Sequence, residues 1–389
     1  MTTLNYITDR PIDGQAANAI ARKSMAQSFS LLKDVLNVNF VFVSNSNDFE
    51  KTEEQEKLNV KPIVMRTYKE QSFSKKDRLI RAVILNPVIM LKLLRACNQL
   101  CPKKDSFNFV RGEKAGLVVW LLSLVKGFPY AYEIHNYEFG RSKLKDYFNK
   151  KIFKKASFVV TISKYTKENW IKNGILEDNI LVLPSGVDIE AFDLSHIDKT
   201  SLRKKLGLPR EKKIIMYCGQ LLYWKGIDTL IESFQYNQSK DVLLLVVGGN
   251  EMDIQKYKRK SNELKLNNIR FVGHQPFSKI PKYMRSADIL VLPNSGNYTI
   301  SNLHTSPIKL FEYLASKTPV IASNLPSIKQ FVSNEEVTFF EPDNPEDLWA
   351  NIVSTLVGDE TTKNNLKKGF KKASSCTWQS RAEQIYNKI

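Results

Sequence analysis

Short apolar runs alternate with amphipathic segments along the whole chain, and this alternation is the feature that most constrains the fold. Runs of this kind typically become buried strands of a parallel sheet, while the segments between them become the covering helices. The predicted strands lie at 4–8, 40–44, 107–110, 129–135, 158–163, 180–188, 213–218, 242–249, 269–274, 287–293 and 320–322. The sequence therefore predicts an α/β protein of the doubly wound type.

The length of 389 residues indicates two domains of this kind, because single cores rarely grow to that size. Residues 189–210 are polar and charged, and we interpret them as the linker. Residues 45–62 are polar and acidic, which favours a surface loop or helix. We expect two Rossmann-like domains that face each other, each with ligands at the carboxyl ends of its strands.

Composition excludes several classes of protein. Hydrophobic residues make up 42% of the chain, so it has enough apolar surface to form cores. No apolar run reaches the ~20 residues that a transmembrane helix needs. The first residues show no signal-peptide pattern. The four cysteines have no zinc spacing, and so few thiols in a chain of this length predict a reducing cytosol. No Asp-x-Asp motif stands between the predicted domains, which predicts that no metal is bound.

The formal net charge of +18 is spread over both halves. Residues 1–190 contain 30 Lys and Arg against 20 Asp and Glu, and residues 191–389 contain 28 against 20. Four explanations stay open: a compositional bias, an anionic membrane leaflet, phosphate-bearing substrates, or nucleic acid. Nothing in the sequence resembles a nucleic-acid-binding module, so we predict no nucleic-acid partner.

Two segments, 78–95 and 143–155, combine apolar residues at helical spacing with many cations. This pattern is typical of a helix on a membrane surface or beside an acceptor groove. Core-packed helices with basic solvent faces are the alternative. The cations that we assign to this role are Arg78, Arg81, Lys150, Lys151, Lys154 and Lys155.

The stretch 305–323 reads as a loop, a short helix and a buried strand. Ser306 is a suitable N-cap, and Pro307 suits the first helical position, where no amide donor is needed. Such a helix start provides free N–H groups and a positive dipole end, which favour a phosphate. Glu312 lies within reach of a sugar hydroxyl beside that phosphate. A capped surface helix with a solvated Glu is the alternative reading.

Two further residues lie where a parallel sheet binds ligands. Gly14 follows the first strand and would let the backbone approach a ligand closely. His135 ends the strand at 129–135, where a catalytic or substrate-contacting residue is expected. A lone His is also often structural.

Several motifs together resemble the GT-B glycosyltransferases, and more specifically the retaining family 4 type, the glycosyl transferases group 1. The matching segments are 156–163, the turn at 183–188, Gly-Gln-Leu-Leu-Tyr-Trp-Lys-Gly at 219–226, 306–315 with 319–322, and 377–383. The resemblance implies an acceptor-binding N-terminal domain at 1–190 and a nucleotide-sugar-binding domain at 191–373. It also implies a C-terminal helix at 374–389 that packs back on the N-terminal domain.

The resemblance assigns roles to individual residues. Lys225 matches a family Lys that neutralises the donor diphosphate, whereas the companion Arg is replaced by Gln220, so Lys309 or Arg10 is expected to compensate. Glu312 matches the acid that binds the ribose, and His304 stands where the family has an acid on the transferred sugar. The donor-binding residues implied are Gly14, Gly219, Gln220, Lys225, His304, Ser306, Pro307, Ile308, Lys309 and Glu312, with His135, Lys225 and Glu312 as the catalytic ones.

The implied activity is transfer of a sugar from a UDP- or GDP-type donor with retention of anomeric configuration, without a metal and without a cofactor. The implied acceptor is a glycan or a polyprenyl-diphosphate-linked glycan in bacterial surface polysaccharide synthesis. The expected location is the cytoplasm, with peripheral attachment to the inner face of the plasma membrane left open. A catalytically inactive partner subunit or a sugar-nucleotide epimerase is the alternative.

Overall fold

The computed structural model describes residues 3–11, 17–32, 35, 37–44, 60–66, 86–101, 106–135, 137–140, 142–306 and 308–389. The chain divides into two compact units. Unit 1 comprises residues up to Leu183 together with Trp378–Ile389, and unit 2 comprises Pro184–Thr377. The boundaries of 190 and 373 that we inferred for the functional domains stay predictions.

Unit 1 is built on one parallel sheet. Its strands are β1 (Thr3–Pro11), β2 (Asn37–Ser44), β3 (Val60–Arg66), β4 (Ser106–Arg111), β5 (Tyr130–Glu133), β6 (Phe158–Thr161) and β7 (Ile180–Val182). The described helices between them are α1 (Ala17–Ser30), α2 (Asn86–Leu100), α3 (Glu113–Lys126), α4 (Lys143–Lys155) and α5 (Lys164–Lys172). Because successive strands are parallel, each connection must cross the sheet, and helices provide these crossovers.

The strand order β3-β2-β1-β4-β5-β6-β7 reverses between β1 and β4. In open α/β sheets the crevice at such a reversal is the usual ligand site. The register brings three chemically distinct strand ends together there, since Thr8 of β1 pairs with Arg111 of β4 and Arg111 pairs with Glu133 of β5. His135 lies two residues beyond Glu133 on the same edge.

Unit 2 repeats this architecture. Its strands are β8 (Lys213–Cys218), β9 (Val242–Val247), β10 (Ile269–Gly273), β11 (Ile289–Leu292), β12 (Val320–Ser323) and β13 (Thr338–Phe340). Its α-helices are α6 (Ile189–Phe192), α7 (Lys199–Lys205), α8 (Ile227–Ser233), α9 (Glu251–Glu263), α10 (Ile280–Ser286), α11 (Ile308–Ala315), α12 (Pro326–Lys329), α13 (Pro345–Val357) and α14 (Glu360–Ser375). The order β10-β9-β8-β11-β12-β13 places the reversal between β8 and β11.

The last helix, α15 (Trp378–Tyr386), returns to unit 1 and packs on α1. Its buried residues are Trp378, Arg381, Ala382 and Ile385. These positions form one stripe at helical spacing, and the only polar residue among these four is Arg381. The α/β class with two parallel sheets and a returning C-terminal helix, as predicted from the sequence, is confirmed.

Two local predictions differ from the structure. Residues 60–62 belong to the edge strand β3, although we had included them in a loop or helix. Pro62 within the run obscures the strand, and an edge position tolerates it because one side of the strand needs no ladder partner. Residues 189–210 are not an extended linker, because α6 and α7 lie there and bury Phe192 and Leu202.

Among the described residues, no helix combines the length and apolar composition that crossing a bilayer requires.

Candidate functional site

The end of β8 in unit 2 is shaped by close contacts between loops. Gly219 donates its amide to the carbonyl of Val247, at 3.0 Å, which ties the loop after β8 to the end of β9. Gly248 has φ +112°, and a Cβ there would lie 2.2 Å from the carbonyl oxygen of Gly219. The two loops can approach this closely because Gly248 has no Cβ. The exposed Gln220 follows directly.

A single helical turn at Tyr223–Lys225 then positions Lys225. Gly226 ends this turn at φ +67°, and a Cβ there would lie 1.8 Å from the carbonyl oxygen of Pro293. The amide of Ser295 bonds the carbonyl of Trp224 at 3.1 Å, so the turn is fixed to the segment after β11. The Lys225 ammonium lies 4.0 Å from the centre of the Trp224 ring, a favourable cation–π distance.

Helix α11 contributes the second part of this site. Lys309, in its first turn, forms an ion pair with Glu312 one turn later, and Glu312 is buried. The hydroxyl of Tyr313 accepts a hydrogen bond from the amide of Cys218 at 2.8 Å and donates to the carbonyl of Cys218 at 3.3 Å. Through Tyr313 the helix is therefore fixed to the end of β8.

The two lysines are close enough to affect each other electrostatically. Burial, together with the positive charge of Lys309, lowers the pKa of Lys225 to about 7. Burial alone would lower the pKa of Lys309, but the Glu312 carboxylate outweighs it and the net shift is upward. Lys309 is thus a fully charged cation with a counter-ion, whereas Lys225 is poised to gain or lose a proton near neutral pH.

The other predicted donor residues of unit 2 border α11. His304 is the buried last residue of a π-helical turn, Ile300–His304, and π-turns often occur at functional sites. Ser306 is buried, and its hydroxyl accepts a hydrogen bond from the amide of Ser185 at 3.4 Å. Ile308 begins α11. Pro307, and Gly14 of unit 1, lie outside the described residues.

His135 in unit 1 lies within a network of charged groups. Its Nε2 hydrogen-bonds the carboxylate of Glu133, which is fully buried. Its Nδ1 lies 3.5 Å from a guanidinium nitrogen of Arg111, and the Arg111 Nε lies 3.6 Å from the same carboxylate oxygen of Glu133. Arg381 of α15 approaches that oxygen at 3.0 Å.

This network determines the charge of each member. Burial alone would raise the pKa of Glu133, but Arg381 and Arg111 outweigh it and hold that pKa far below its usual value. Burial and the neighbouring Arg111 lower the pKa of His135 to about 4, even though Glu133 acts in the opposite direction. At neutral pH, Glu133 is therefore an anion and His135 an uncharged imidazole.

The residues of these sites to which the sequence analysis assigns no role include Arg111, Glu133, Arg381 and Tyr313. Arg381 could have been found, because a cation within the apolar stripe of α15 predicts a buried anionic partner. Tyr313 gives no such signal, since an aromatic residue in a short apolar helix normally indicates only core packing.

The helix predicted at 143–155 is present as α4. Lys151, Lys154 and Lys155 are exposed, and Lys150 is partly exposed. Leu144 and Tyr147 on the same helix are 70% and 57% exposed. Helix α3 packs beside it through a ring contact between Trp120 and Phe148, and exposes Leu121 and Leu124. We call the exposed sides of α3 and α4 the basic apolar surface; Arg78 and Arg81 lie outside the described residues.

The described part of the chain contains no group of three or more His, Cys, Asp or Glu side chains arranged to hold a metal ion.

Comparisons with known proteins connect this geometry to a family. Residues 198–373 match the model of the family described as glycosyl transferases group 1. An uncharacterized glycosyltransferase of Methanocaldococcus jannaschii is 25% identical over 245 residues, which cover 59% of this chain and 60% of that relative. A D-inositol 3-phosphate glycosyltransferase of Corynebacterium glutamicum is 25% identical over 218 residues, covering 54% of this chain and 50% of that relative. The chain thus spans only half to three fifths of the length of these two relatives.

A solved structure covers the whole chain. The Anabaena protein Alr3699/HepE, crystallised in complex with UDP, superposes with a TM-score of 0.75 at 17% identity, covering 100% of this chain and 99% of that one. At this identity the similarity concerns the fold alone. Residues 198–373 therefore form a glycosyl transferases group 1 domain within a chain of GT-B fold.

Proposed function

We propose that the chain is a glycosyltransferase that moves a sugar from a nucleoside-diphosphate sugar to a glycan or lipid-linked acceptor. The observation that carries the proposal is the grouping of Lys225, Lys309 and the buried Glu312 at the start of α11, within the family domain. Two cations beside a helix N-terminus favour a diphosphate, because free N–H groups and the dipole add to their charge.

The chemistry requires charge stabilisation at the leaving group. When the glycosidic bond to the nucleotide breaks, negative charge develops on the diphosphate and positive charge on the anomeric carbon. Lys225 and Lys309 stabilise the diphosphate, and Glu312 accepts a hydrogen bond from the ribose. Because these groups replace a metal ion, the proposed reaction is metal-independent.

The proposed stereochemical outcome is retention. The leaving phosphate oxygen would deprotonate the acceptor hydroxyl on the same face of the sugar, so no enzymic nucleophile is needed. His135 contacts the donor sugar in this proposal as a neutral group, which suits a site where cationic character develops on the sugar. Catalysis would then depend mainly on positioning and electrostatics.

The donor is proposed to be a UDP- or GDP-sugar. The UDP complex of the Anabaena protein supports the UDP type through similarity of fold. Gln220 and His304 stand in place of the charged residues that the family resemblance leads us to expect. We therefore propose that this protein contacts the diphosphate and the donor sugar through different side chains from those typical of the family.

The acceptor is proposed to be a glycan or a polyprenyl-diphosphate-linked glycan in bacterial surface polysaccharide synthesis. The basic apolar surface supports an acceptor at an anionic membrane, because its lysines and exposed Leu and Tyr side chains fit phospholipid head groups and acyl chains. We propose a cytoplasmic protein that attaches peripherally to the inner face of the plasma membrane.

The test measures donor binding and turnover together. UDP-, GDP- and dTDP-sugars are screened for an increase in melting temperature, and the stabilising donor is then assayed for slow release of nucleoside diphosphate by water. We expect one base to stabilise wild type, and K225A or E312A to abolish both signals. K282A, which changes an exposed lysine of α10, serves as the control.

The outcomes separate the proposal from its alternatives. No stabilisation by any nucleotide contradicts a transferase and favours an inactive partner subunit. Binding with interconversion of the donor sugar, and no release of nucleotide, indicates an epimerase. Full activity of K225A contradicts the site.

A further inference from the structure

Arg381 connects three separate segments of unit 1. It lies on α15, where it is 4% exposed. One guanidinium nitrogen donates to the carbonyl oxygen of Leu183, the last residue of the first segment of unit 1, at 2.7 Å. Another lies 3.0 Å from Oε1 of Glu133 at the end of β5. A single planar side chain thus connects the C-terminal helix, the segment after β7 and the strand end that precedes His135.

Arg381, Arg111 and His135 all contact the same carboxylate oxygen of Glu133. Oε1 of Glu133 faces Arg381, Arg111 and the Nε2 of His135. Since a carboxylate anion can only accept hydrogen bonds, the imidazole must donate from Nε2. Its Nδ1 then presents a lone pair toward the Arg111 guanidinium, 3.5 Å away. The two contacts together select one tautomer and one ring orientation.

We propose that Arg381 is a positioning residue, which holds Glu133 as an anion so that Glu133 and Arg111 fix His135 as a neutral imidazole protonated on Nε2. The inference rests on the proposed function in one respect, because it assumes that His135 meets the donor sugar. In this proposal the C-terminal helix contributes to the active site through charge as well as through packing.

The physical argument concerns what remains when Arg381 is absent. Glu133 is fully buried, and a buried carboxylate is stable as an anion only with adjacent positive charge. Without Arg381, only Arg111 remains as its close cationic partner among the contacts described above. The positive field on His135 falls at the same time, so protonation of the imidazole becomes easier. Among the described residues, the charged groups with the largest effects on His135 are Arg111 of β4, Glu133 of β5 and Arg381 of α15.

Opposite effects are therefore expected from removing the two charges. R381M lessens the positive field, so the pKa of His135 rises. E133Q removes the negative charge and leaves both arginines, so the pKa of His135 falls further, while its Nε2–H preference weakens. A general loss of structure would not raise the pKa of His135 in R381M and, in E133Q, leave the imidazole neutral while weakening its tautomer preference.

The first experiment needs no substrate. The chain has only four histidines, so the imidazole nitrogens can be followed by 15N NMR, with H135Q used to assign the signals of His135. In wild type we expect the Nε2–H pattern unchanged from pH 5.5 to 8.5. In R381M we expect the pKa of His135 to be higher than in wild type, so that the imidazolium signal appears at a higher pH when both proteins are titrated to below pH 5.5. K388M, which removes an exposed cation just after α15, should match wild type.

The second experiment measures turnover with the donor identified by the binding screen. We expect R381M to lower kcat by about tenfold to a hundredfold, because His135 would no longer be held in its orientation. The donor KM should change less than threefold. The loss should be greater at pH 6 than at pH 8, because protonated His135 accumulates at low pH. R381K keeps the positive charge but lacks the planar guanidinium that contacts Leu183 and Glu133 together, so it should recover only part of kcat.

The results distinguish failure of this inference from failure of the proposed function. Identical His135 titration in R381M and wild type overturns the inference, whatever the activity. A shifted titration with unchanged kcat overturns it too, because the state of His135 would then not matter to the reaction. If R381M does not fold, E133Q is used to test the inference. Retention of a single Nε2–H tautomer in E133Q then contradicts the proposed role of Glu133. Absence of donor binding in wild type contradicts the proposed function and leaves the NMR test intact.

Discussion

Lys225 lies where its surroundings make the positive charge of a lysine less favourable than in water. Burial and the neighbouring Lys309 lower its pKa to about 7, so about half of the molecules lack this charge at neutral pH. Lys309 differs because Glu312 is its counter-ion. A bound diphosphate would supply the missing counter-charge to Lys225. In the proposed function, Lys225 therefore links donor binding to proton uptake.

We predict that donor binding takes up a proton above pH 7. The bound diphosphate raises the pKa of Lys225, so affinity is greatest below about pH 7 and falls up to about tenfold per pH unit above it, until the pKa of the complex is reached. Calorimetry in buffers of different ionisation enthalpy measures the uptake directly. K225M should bind weakly with no such pH dependence, while K282M should behave as wild type. Equal affinity of wild type at pH 6.5 and 8.5 contradicts this linkage.

K225M also has an expected effect on stability. A lysine whose pKa is lower in the folded state than in the unfolded state destabilises the fold at neutral pH, and this effect disappears as pH rises toward 10.5. K225M should therefore melt at the same or a higher temperature than wild type at pH 7, with the difference shrinking at pH 9.5. A clear loss of stability in K225M at pH 7 would show that the ammonium is stabilised in the free protein.

Gly226 and Gly358 have nearly the same backbone conformation in different surroundings. Their φ values are +67° and +71°, but a Cβ at Gly226 would lie 1.8 Å from the carbonyl oxygen of Pro293, whereas nothing lies within 4 Å at Gly358. G358A should lower the free energy of unfolding by about 1 kcal/mol from backbone strain alone. G226A should lower it by about 2 kcal/mol more, because the clash must be relieved. Urea unfolding measures both, and equal losses would show that the turn relaxes freely.

At the scale of elements, α4 combines a core-packed side with an exposed side that carries lysines and apolar side chains. Ile152 and Phe153 are buried in unit 1, whereas Leu144, Tyr147 and the lysines are exposed. Packing therefore does not need the cations, and the basic apolar surface can be altered without changing the core. The sequence left a membrane helix and a core-packed helix as alternatives, and the structure shows one helix that has both a core side and an exposed basic side.

We predict that K151E/K154E/K155E weakens binding to vesicles that contain anionic lipid. Each lysine near such a surface contributes about 1 kcal/mol, so loss of the three positive charges should lower the partition coefficient about a hundredfold, and the introduced carboxylates should lower it further. Vesicle sedimentation at low and high salt measures this. K363E/K367E/K371E changes the net charge equally on α14 of unit 2 and is the matched control. Equal weakening by both triple variants would indicate a non-specific charge effect, and no binding by wild type contradicts the membrane proposal.

Most elements could be predicted because the spacing of their apolar residues and the residue types at their ends indicate the same secondary structure. Helix α4 occupies the predicted 143–155, and α11 followed by β12 matches the reading of 305–323. Strand β3 was missed because Lys61 and Pro62 interrupt its apolar pattern, and pairing with β2 stabilises it nonetheless. Helices α6 and α7 were missed because they are short, and the packing of Phe192 and Leu202 stabilises them more than their composition suggests.

For the whole molecule, the sequence indicates which residues lie at strand ends but not which distant residues meet them. His135 and Glu133 can be seen in the sequence as polar residues at the end of one strand. Their contact with Arg381 joins positions 248 residues apart, and that pairing depends on where α15 packs. The same holds for Tyr313 and Cys218, 95 residues apart. Local patterns fix the elements, while tertiary packing determines these contacts.

The two-unit organisation predicts separate responses to removal of α15. Deleting residues 378–389 removes the buried Trp378, Arg381, Ala382 and Ile385, which belong to unit 1 although they follow unit 2 in the chain. Loss of several buried side chains of this size destabilises a domain by several kcal/mol. Hydrogen exchange should therefore accelerate in α1, β4 and β5, while β8, β9 and α11 keep their protection and the response to nucleotide.

Deleting only residues 387–389, which follow α15, is the matched control, because these residues are exposed. It should leave exchange in both units unchanged. Mass spectrometry of peptides from the two units, with and without the stabilising nucleotide, measures both variants in one experiment. Faster exchange in β8, β9 and α11 of the longer deletion would show that unit 2 depends on unit 1 for its stability. Unchanged exchange in α1 would show that α15 contributes little to the unit on which it packs.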